Sequence, residues 1–217
     1  MTVDDDLRCR LIAAARQMQA AGLNRGTAGN LSVRCEPTDA GNFLITPTGM
    51  AYERLEASDL VAMTFDGRSL GHRLPSSEWR FHRDLYLARP EAGAILHAHS
   101  PFATSLACLR REIPPFHYMI ARFGGDSVRC AAYATFGSQE LSVAMLAAMA
   151  DRRACLLANH GMVIFGDDLP HVLDLAVEFE TLCEQYWRAC QLGRPMCLDA
   201  AEMSRVLEKF AGYGQNV

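Results

Sequence analysis

Lysine is nearly missing from this chain: the single one, Lys209, lies close to the C-terminus. Chemistry that needs a Schiff-base lysine in the body of the fold is therefore excluded. Long hydrophobic runs are missing as well. The most apolar window, LSVAMLAAMA (141–150), is far too short to cross a bilayer. The N-terminal MTVDDDLRCR is acidic and has no apolar segment before a small-residue cleavage site, so it reads as no signal peptide and the chain as cytoplasmic. Charge of one sign is never concentrated. The 21 basic and 25 acidic side chains give −4 without a run of either, which argues against nucleic acid and anionic membranes as partners. The eight cysteines form no CxxC pair and read as buried, reduced thiols. No internal repeat, low-complexity tract or linker is present.

What is present is an ordinary globular mixture: 217 residues, half of them hydrophobic, enough for one domain (1–217) with a sizeable core. Apolar spacing predicts helices over 6–21, 75–90, from Pro101, 138–153 (with Ser138 as N-cap), 170–193 (ended by Gly193) and 201–214. Strands are expected within 26–34, 42–50 and 92–100, as a short hairpin around Asp66-Gly67, and as strand–turn–strand over 154–166. Residues 113–136, rich in Pro, Gly and aromatics, read as loop with short strands. Helices interleaved with strands point to an α/β chain whose helices pack on a central mixed or antiparallel sheet.

Four groups of residues can carry chemistry. His97-Ala-His99 lies on the apolar strand AGAILHAHS, where alternate side chains share a face and two imidazoles are presented together. His160, in the turn ANHGM, is a third candidate ligand; three histidines with open positions suit a catalytic metal, although a core histidine bonded to a backbone carbonyl gives the same local pattern. Pro75-Ser76-Ser77-Glu78 opens a predicted helix and is either an anion site or a simple cap. His82, four residues after Glu78, is a supporting partner or an ion pair. The turns GTAGN (26–30) and TPTGM (46–50) offer glycine amides with Thr27, Asn30 and Thr48 for phosphate oxygens, and match neither a Walker nor a dinucleotide fingerprint. Tyr118 and Tyr213 lie in loop-like sequence, as general acids or as surface residues.

Taken together, LNRGTAGNLSVR, LITPTGM, LPSSEWRFH, ILHAHS, IPPFHYMIARFGGDS, AAYATFGSQELS, LLANHGM and VLEKFAGYG, in that order from about residue 7 to 214, resemble the class II aldolase/adducin family. The resemblance implies an α/β/α sandwich around a mixed, largely antiparallel sheet, assembled as a homotetramer with active sites between subunits. It implies a metal-dependent aldehyde-lyase acting on a ketose 1-phosphate. The best match is L-fuculose 1-phosphate, cleaved to dihydroxyacetone phosphate and L-lactaldehyde through a metal-bound enediolate. His97, His99 and His160 would hold one zinc, or another divalent ion, per subunit. Glu78 would be the catalytic carboxylate and would complete the metal shell when substrate is absent. Thr27, Gly29, Asn30, Thr48, Gly49, Ser76 and Ser77 would form the phosphate pocket. Tyr118, serving a neighbour's metal, would protonate the aldehyde oxygen, and Tyr213 would position the aldehyde. Two features depart from the family pattern: ANHG, where a second histidine is common, and the short tail GQNV after Tyr213. On the same scaffold the alternatives are a sugar-phosphate 4-epimerase, a methylthioribulose-1-phosphate dehydratase or a 3-oxo-acid-phosphate decarboxylase. An adducin-like interaction domain without catalysis is the alternative of a different class.

Overall fold

The computed structural model describes residues 3–35 and 42–212. Helix α1 (Val3–Ala20) is followed by strands β1 (Asn30–Arg34) and β2 (Phe43–Ile45), then by the hairpin of β3 (Val61–Met63) and β4 (Ser69–Leu70). Gly67 takes φ +91° at its tip, as the Asp-Gly turn requires. Helix α2 (Trp79–Ala88) leads into β5 (Ala94–Ala98) and α3 (Pro101–Ala107). A 3-10 turn (Tyr118–Phe123) and β6 (Cys130–Ala131) interrupt the irregular stretch that follows. The chain ends with α4 (Gln139–Ala148), β7 (Ala154–Leu157), β8 (Gly161–Gly166), α5 (Leu169–Leu192) and α6 (Ala200–Ala211).

The strands join one eight-stranded sheet in the order β4-β3-β2-β1-β5-β8-β7-β6. The β6–β7 pair is parallel and the other pairs are antiparallel, so the expected mixed, largely antiparallel sheet is found. Its central strands alternate between two cores. Leu96 and Ala98 of β5 and Met162 and Ile164 of β8 face α1, α3 and α5, packing with Leu11, Leu106 and Phe179. Ile95 of β5 and Val163 and Phe165 of β8 face α2 and α4, packing with Phe81, Leu85, Leu141 and Met145. Both faces are covered, which makes the α/β/α sandwich.

Helix ends follow their sequence signals. Ser138 Oγ accepts from Leu141 N at 3.1 Å, and Asp168 Oδ1 accepts from His171 N at 2.8 Å. Gly193 terminates α5 at φ +155°. At α3 a distant carboxylate does this job: Glu180 accepts from Ser100 Oγ at 2.6 Å and from the amides of Phe102 (2.7 Å) and Ala103 (2.9 Å).

Three expectations need correction. Helix α2 begins at Trp79, not at Pro75. The segment before it is held extended instead, because Ser76 N donates to Thr46 O at 3.1 Å and Pro75 bridges to Pro47. Helix α4 stops at Ala148, short of 153, and Asp151 (φ +58°) turns the chain into β7. Among the cysteines, Cys155 and Cys183 are buried whereas Cys9, Cys108, Cys190 and Cys197 are exposed, so buried thiols hold only for a minority. No helix among the described residues is long and apolar enough to cross a membrane.

Candidate active site

The sheet brings the chemistry-bearing residues together in register. Asn30, the first residue of β1, lies opposite His97 of β5, and Ala98 lies opposite Met162 of β8. His97 therefore points to the α2 side, where its ring meets Phe81 edge-on at 5.5 Å. His99 follows on the same side, and His160 closes the β7–β8 turn with its amide bonded to Leu157 O at 3.0 Å. Two glycines allow this convergence. A Cβ at Gly161 would stand 2.4 Å from Ala98 O and 3.0 Å from the His99 ring, and one at Gly29 (φ +77°) would stand 2.8 Å from His97 O. Asn159, before His160, takes φ +54°, a conformation that asparagine tolerates better than most residues.

The ligand atoms of Glu78, His97, His99 and His160 all lie within 4.8 Å of one another. His97 Nε2 is 3.1 Å from Glu78 Oε2 and 3.0 Å from His99 Nε2, and His160 Nε2 is 3.3 Å from Glu78 Oε1. The donor chemistry fits a divalent cation. His97 Nδ1 donates to Met162 O at 2.9 Å, which leaves its Nε2 lone pair facing the cluster. Glu78 Oε1 is buried without a hydrogen-bond partner, since the His160 contact lacks hydrogen-bond alignment. Imidazole lone pairs and a carboxylate that converge in this way repel one another unless a cation lies between them.

Burial, then the nearby His97, pushes His99 and His160 down to about 4. For Glu78, burial works upward, but His97, His160 and the Asn30 hydrogen bond together hold the carboxyl well below the ordinary range. At neutral pH His99 and His160 are neutral and Glu78 is ionised, the protonation states a metal binds.

Behind the cluster lies a layer of which sequence spacing suggests only His82, as a supporting partner. His82 makes no direct ion pair with Glu78 and reaches it through Asn30: His82 Nε2 is 2.5 Å from Asn30 Oδ1, and Asn30 Nδ2 donates to Glu78 Oε2 at 3.0 Å. Burial pushes His82 down to about 3 from 6.5. Below pH 6.5 the unfolded chain therefore takes up a proton that the folded chain refuses, and stability falls as pH falls, by up to about 1.4 kcal/mol per pH unit for one such group. Urea midpoints of metal-stripped protein are expected to drop steadily from pH 6.5 to 4.5, and His82→Gln to flatten that slope; an unchanged slope in the variant would show that other groups set it.

A cleft of about 310 Å3 opens over the cluster, lined by Glu78, His99 and His160 together with Thr27, Gly29, Asn30, Thr48, Gly49, Ser76 and Ser77. Each residue expected to bind phosphate thus borders the same space as the Glu78–histidine cluster, with both ends of the Asn30 amide already engaged in the bonds just described. Tyr133 (57 % exposed) and Phe136 (66 % exposed) form an apolar side of the cleft, which the sequence did not single out. The signal available was their place at the end of the irregular segment, just before α4. Arg110 lies over the Tyr133 ring at 5.5 Å and donates to Asn159 Oδ1 at 2.6 Å, which ties the ANHG departure to this wall. Tyr118 is not brought to the cluster. Half exposed, it lines a second cleft with Phe116, Leu198, Val206 and Phe210. Tyr213 lies outside the described residues.

Comparison with known proteins gives the same picture. Residues 9–187 match the Class II Aldolase and Adducin N-terminal domain. The chain is 54 % identical over 210 residues to a 5-methylthioribulose-1-phosphate/5-deoxyribulose-1-phosphate aldolase of Rhodospirillum rubrum, covering 97 % of this chain and 93 % of that protein. It is 43 % identical over 209 residues to the L-fuculose phosphate aldolase of Escherichia coli, covering 96 % and 95 % respectively. A solved structure of an L-fuculose 1-phosphate aldolase superposes with a TM-score of 0.90 at 40 % identity, over 95 % of this chain and 96 % of that one. The chain belongs to the class II aldolase/adducin family, as an enzyme of its aldolase branch.

Proposed function

We propose that this enzyme cleaves a ketose 1-phosphate reversibly to dihydroxyacetone phosphate and an aldehyde. The observation that carries the proposal is the Glu78–His97–His99–His160 cluster, which shares a cleft with two glycine turns and Ser76-Ser77. Thr27, Gly29, Thr48, Gly49, Ser76 and Ser77 are the proposed phosphate residues. Asn30 joins them through the second N–H that its amide keeps beyond the one given to Glu78. Fixing the phosphate there sets the reacting carbons beside Glu78. His97, His99, His160 and Glu78 are the proposed ligands of a divalent ion, zinc by the chemistry of a three-histidine set. When bound, that ion supplies Lewis acidity worth several kcal/mol against the negative charge that develops on the substrate oxygens.

In cleavage, the C4 hydroxyl passes its proton to the ionised phenol of Tyr118 from a neighbouring copy as the C3–C4 bond breaks. The electron pair stays on C3 as an enediolate, and the aldehyde departs. Glu78, ionised at rest, takes up a proton from solvent and passes it to C3; in synthesis it removes that proton. Tyr118 of a neighbouring copy is the proposed acid for the aldehyde oxygen, and Tyr213 the proposed guide for the aldehyde. This assignment goes with a homotetramer whose sites lie between subunits. It is supported by the half-exposed Tyr118, which lines a cleft other than that of its own cluster. Exposed thiols fit a reducing, cytoplasmic setting.

The substrate we favour is a 5-deoxypentulose 1-phosphate with a methyl or methylthio end. The relative at 54 % identity is named for those sugars, and Tyr133 and Phe136 offer an apolar wall to such an end. L-fuculose 1-phosphate is the second reading, supported by the relative at 43 % identity; its aldehyde also ends in a methyl group. The test is kcat/KM for dihydroxyacetone phosphate release from 5-methylthioribulose, 5-deoxyribulose and L-fuculose 1-phosphates, with L-ribulose 5-phosphate scored for epimerisation. A preference for the first two supports this reading. A preference for L-fuculose 1-phosphate transfers it to the second, and epimerisation or dehydration without cleavage overturns both.

A further inference from the structure

Five buried side chains form a hydrogen-bonded line that ends on the catalytic carboxylate. Tyr86 Oη lies 2.8 Å from Ser32 Oγ, and Ser32 Oγ lies 2.7 Å from His82 Nδ1. His82 Nε2 lies 2.5 Å from Asn30 Oδ1, and Asn30 Nδ2 lies 3.0 Å from Glu78 Oε2. Ser32 and His82 are 0 % exposed, and Asn30 only 3 %. The direction of each bond follows from the carboxylate end. Glu78 Oε2 only accepts, so Asn30 presents its NH2 there and turns its carbonyl to His82. That carbonyl only accepts, so His82 Nε2 carries the ring proton. A neutral imidazole has one N–H, so Nδ1 is a lone pair and the Ser32 hydroxyl donates to it. Ser32 Oγ, its proton used, accepts from Tyr86. All four bonds point toward Glu78.

We propose that His82 is a positioning residue for the metal–carboxylate site: its Nε2–H locks the Asn30 amide in the one orientation that gives Glu78 Oε2 a donor, leaving Oε1 for the metal and the reacting carbon. Without that lock the amide can rotate by a half turn and set its carbonyl against the carboxylate, lone pair to lone pair. The inference rests on the aldolase reading for its kinetic consequences and on the cluster alone for its effect on metal affinity.

The test is a double-mutant cycle on His82 and Asn30, read both by kcat and by zinc affinity in competition with a chromophoric chelator. His82→Leu is expected to weaken zinc binding and to lower kcat by about 10- to 100-fold each, the usual cost of losing a partner behind a metal ligand, with KM moved far less. His82→Gln, which returns an N–H near the Nε2 position, is expected to recover most of both. If His82 acts through Asn30, the double variant His82→Leu/Asn30→Ala is no worse than Asn30→Ala alone. Additive losses, or a lower Tm in His82→Leu with zinc affinity and kcat intact, would reduce His82 to a packing residue. Should His82→Leu not fold, Ser32→Ala removes the donor to Nδ1 at little change in volume. It is then expected to lower zinc affinity in the same direction, and no change there overturns the proposal. Zinc affinity that follows the cycle in a protein that cleaves no ketose phosphate would sink the aldolase reading and keep this one. Normal cleavage with zinc affinity indifferent to His82 would do the reverse.

Discussion

Replacing His97 by alanine is expected to strip the metal from the purified enzyme and to lower kcat by about a thousandfold or more, taking the Lewis-acid contribution as ~4 kcal/mol. His97 has this weight because it touches the other members of the cluster: its Nε2 lies 3.1 Å from Glu78 Oε2 and 3.0 Å from His99 Nε2, and its ring is 4.7 Å from that of His160. Its other nitrogen is held by Met162 O. The alanine variant therefore also loses a buried hydrogen bond, worth about 1–3 kcal/mol of stability. His99→Ala separates the two effects, since His99 is only partly buried and takes no part in that bond. Metal analysis and kcat of both variants, beside their urea midpoints, check the expectation. Full metal content with a small rate loss in either variant would show that the histidines are structural.

Glu78→Gln is expected to lower kcat by roughly 10²–10⁴, the range for loss of a general acid–base, while much of the bound metal is kept on the three histidines. The amide preserves the shape of the carboxylate and can still accept the Asn30 N–H at the Oε2 position. What it loses is the negative charge and the ability to carry a proton to and from carbon. Exchange of the C3 proton of dihydroxyacetone phosphate with deuterated solvent reads that step without the aldehyde. Exchange is expected to fall in parallel with cleavage. If exchange survives while cleavage is lost, the carbon acid–base is another residue and Glu78 serves the metal alone.

How much of this was legible depended on whether the relevant spacing was local. His97 and His99 stand two apart on a strand, a period that dictates a common face, and the sheet realises it. The third histidine and Glu78 could be suggested from their turns, but their meeting point is set by strand order, which local pattern does not encode. The start of α2 was misplaced because Pro75-Ser76-Ser77 carries every local mark of a first turn. The backbone of Thr46 and Pro47, about thirty residues earlier, captures it as an extended segment instead. The same distance hides the line from Tyr86 to Glu78. Ser32 and His82 are 50 positions apart, and only the packing of α2 on β1 makes them neighbours. The apolar wall of Tyr133 and Phe136 belongs to an irregular segment, where periodicity carries no information about direction.

The three-histidine, one-carboxylate cluster is proposed to supply the metal on which aldol cleavage by this chain depends. The most direct measurement is release of dihydroxyacetone phosphate from 5-deoxyribulose 1-phosphate before chelation, after removal of all bound metal, and after zinc is returned. Cleavage, its loss on removal, and its recovery in proportion to zinc bound per chain are the expected results. Cleavage that persists in fully metal-free protein would contradict the proposal, and so would a zinc-loaded enzyme that releases dihydroxyacetone phosphate from none of the ketose 1-phosphates.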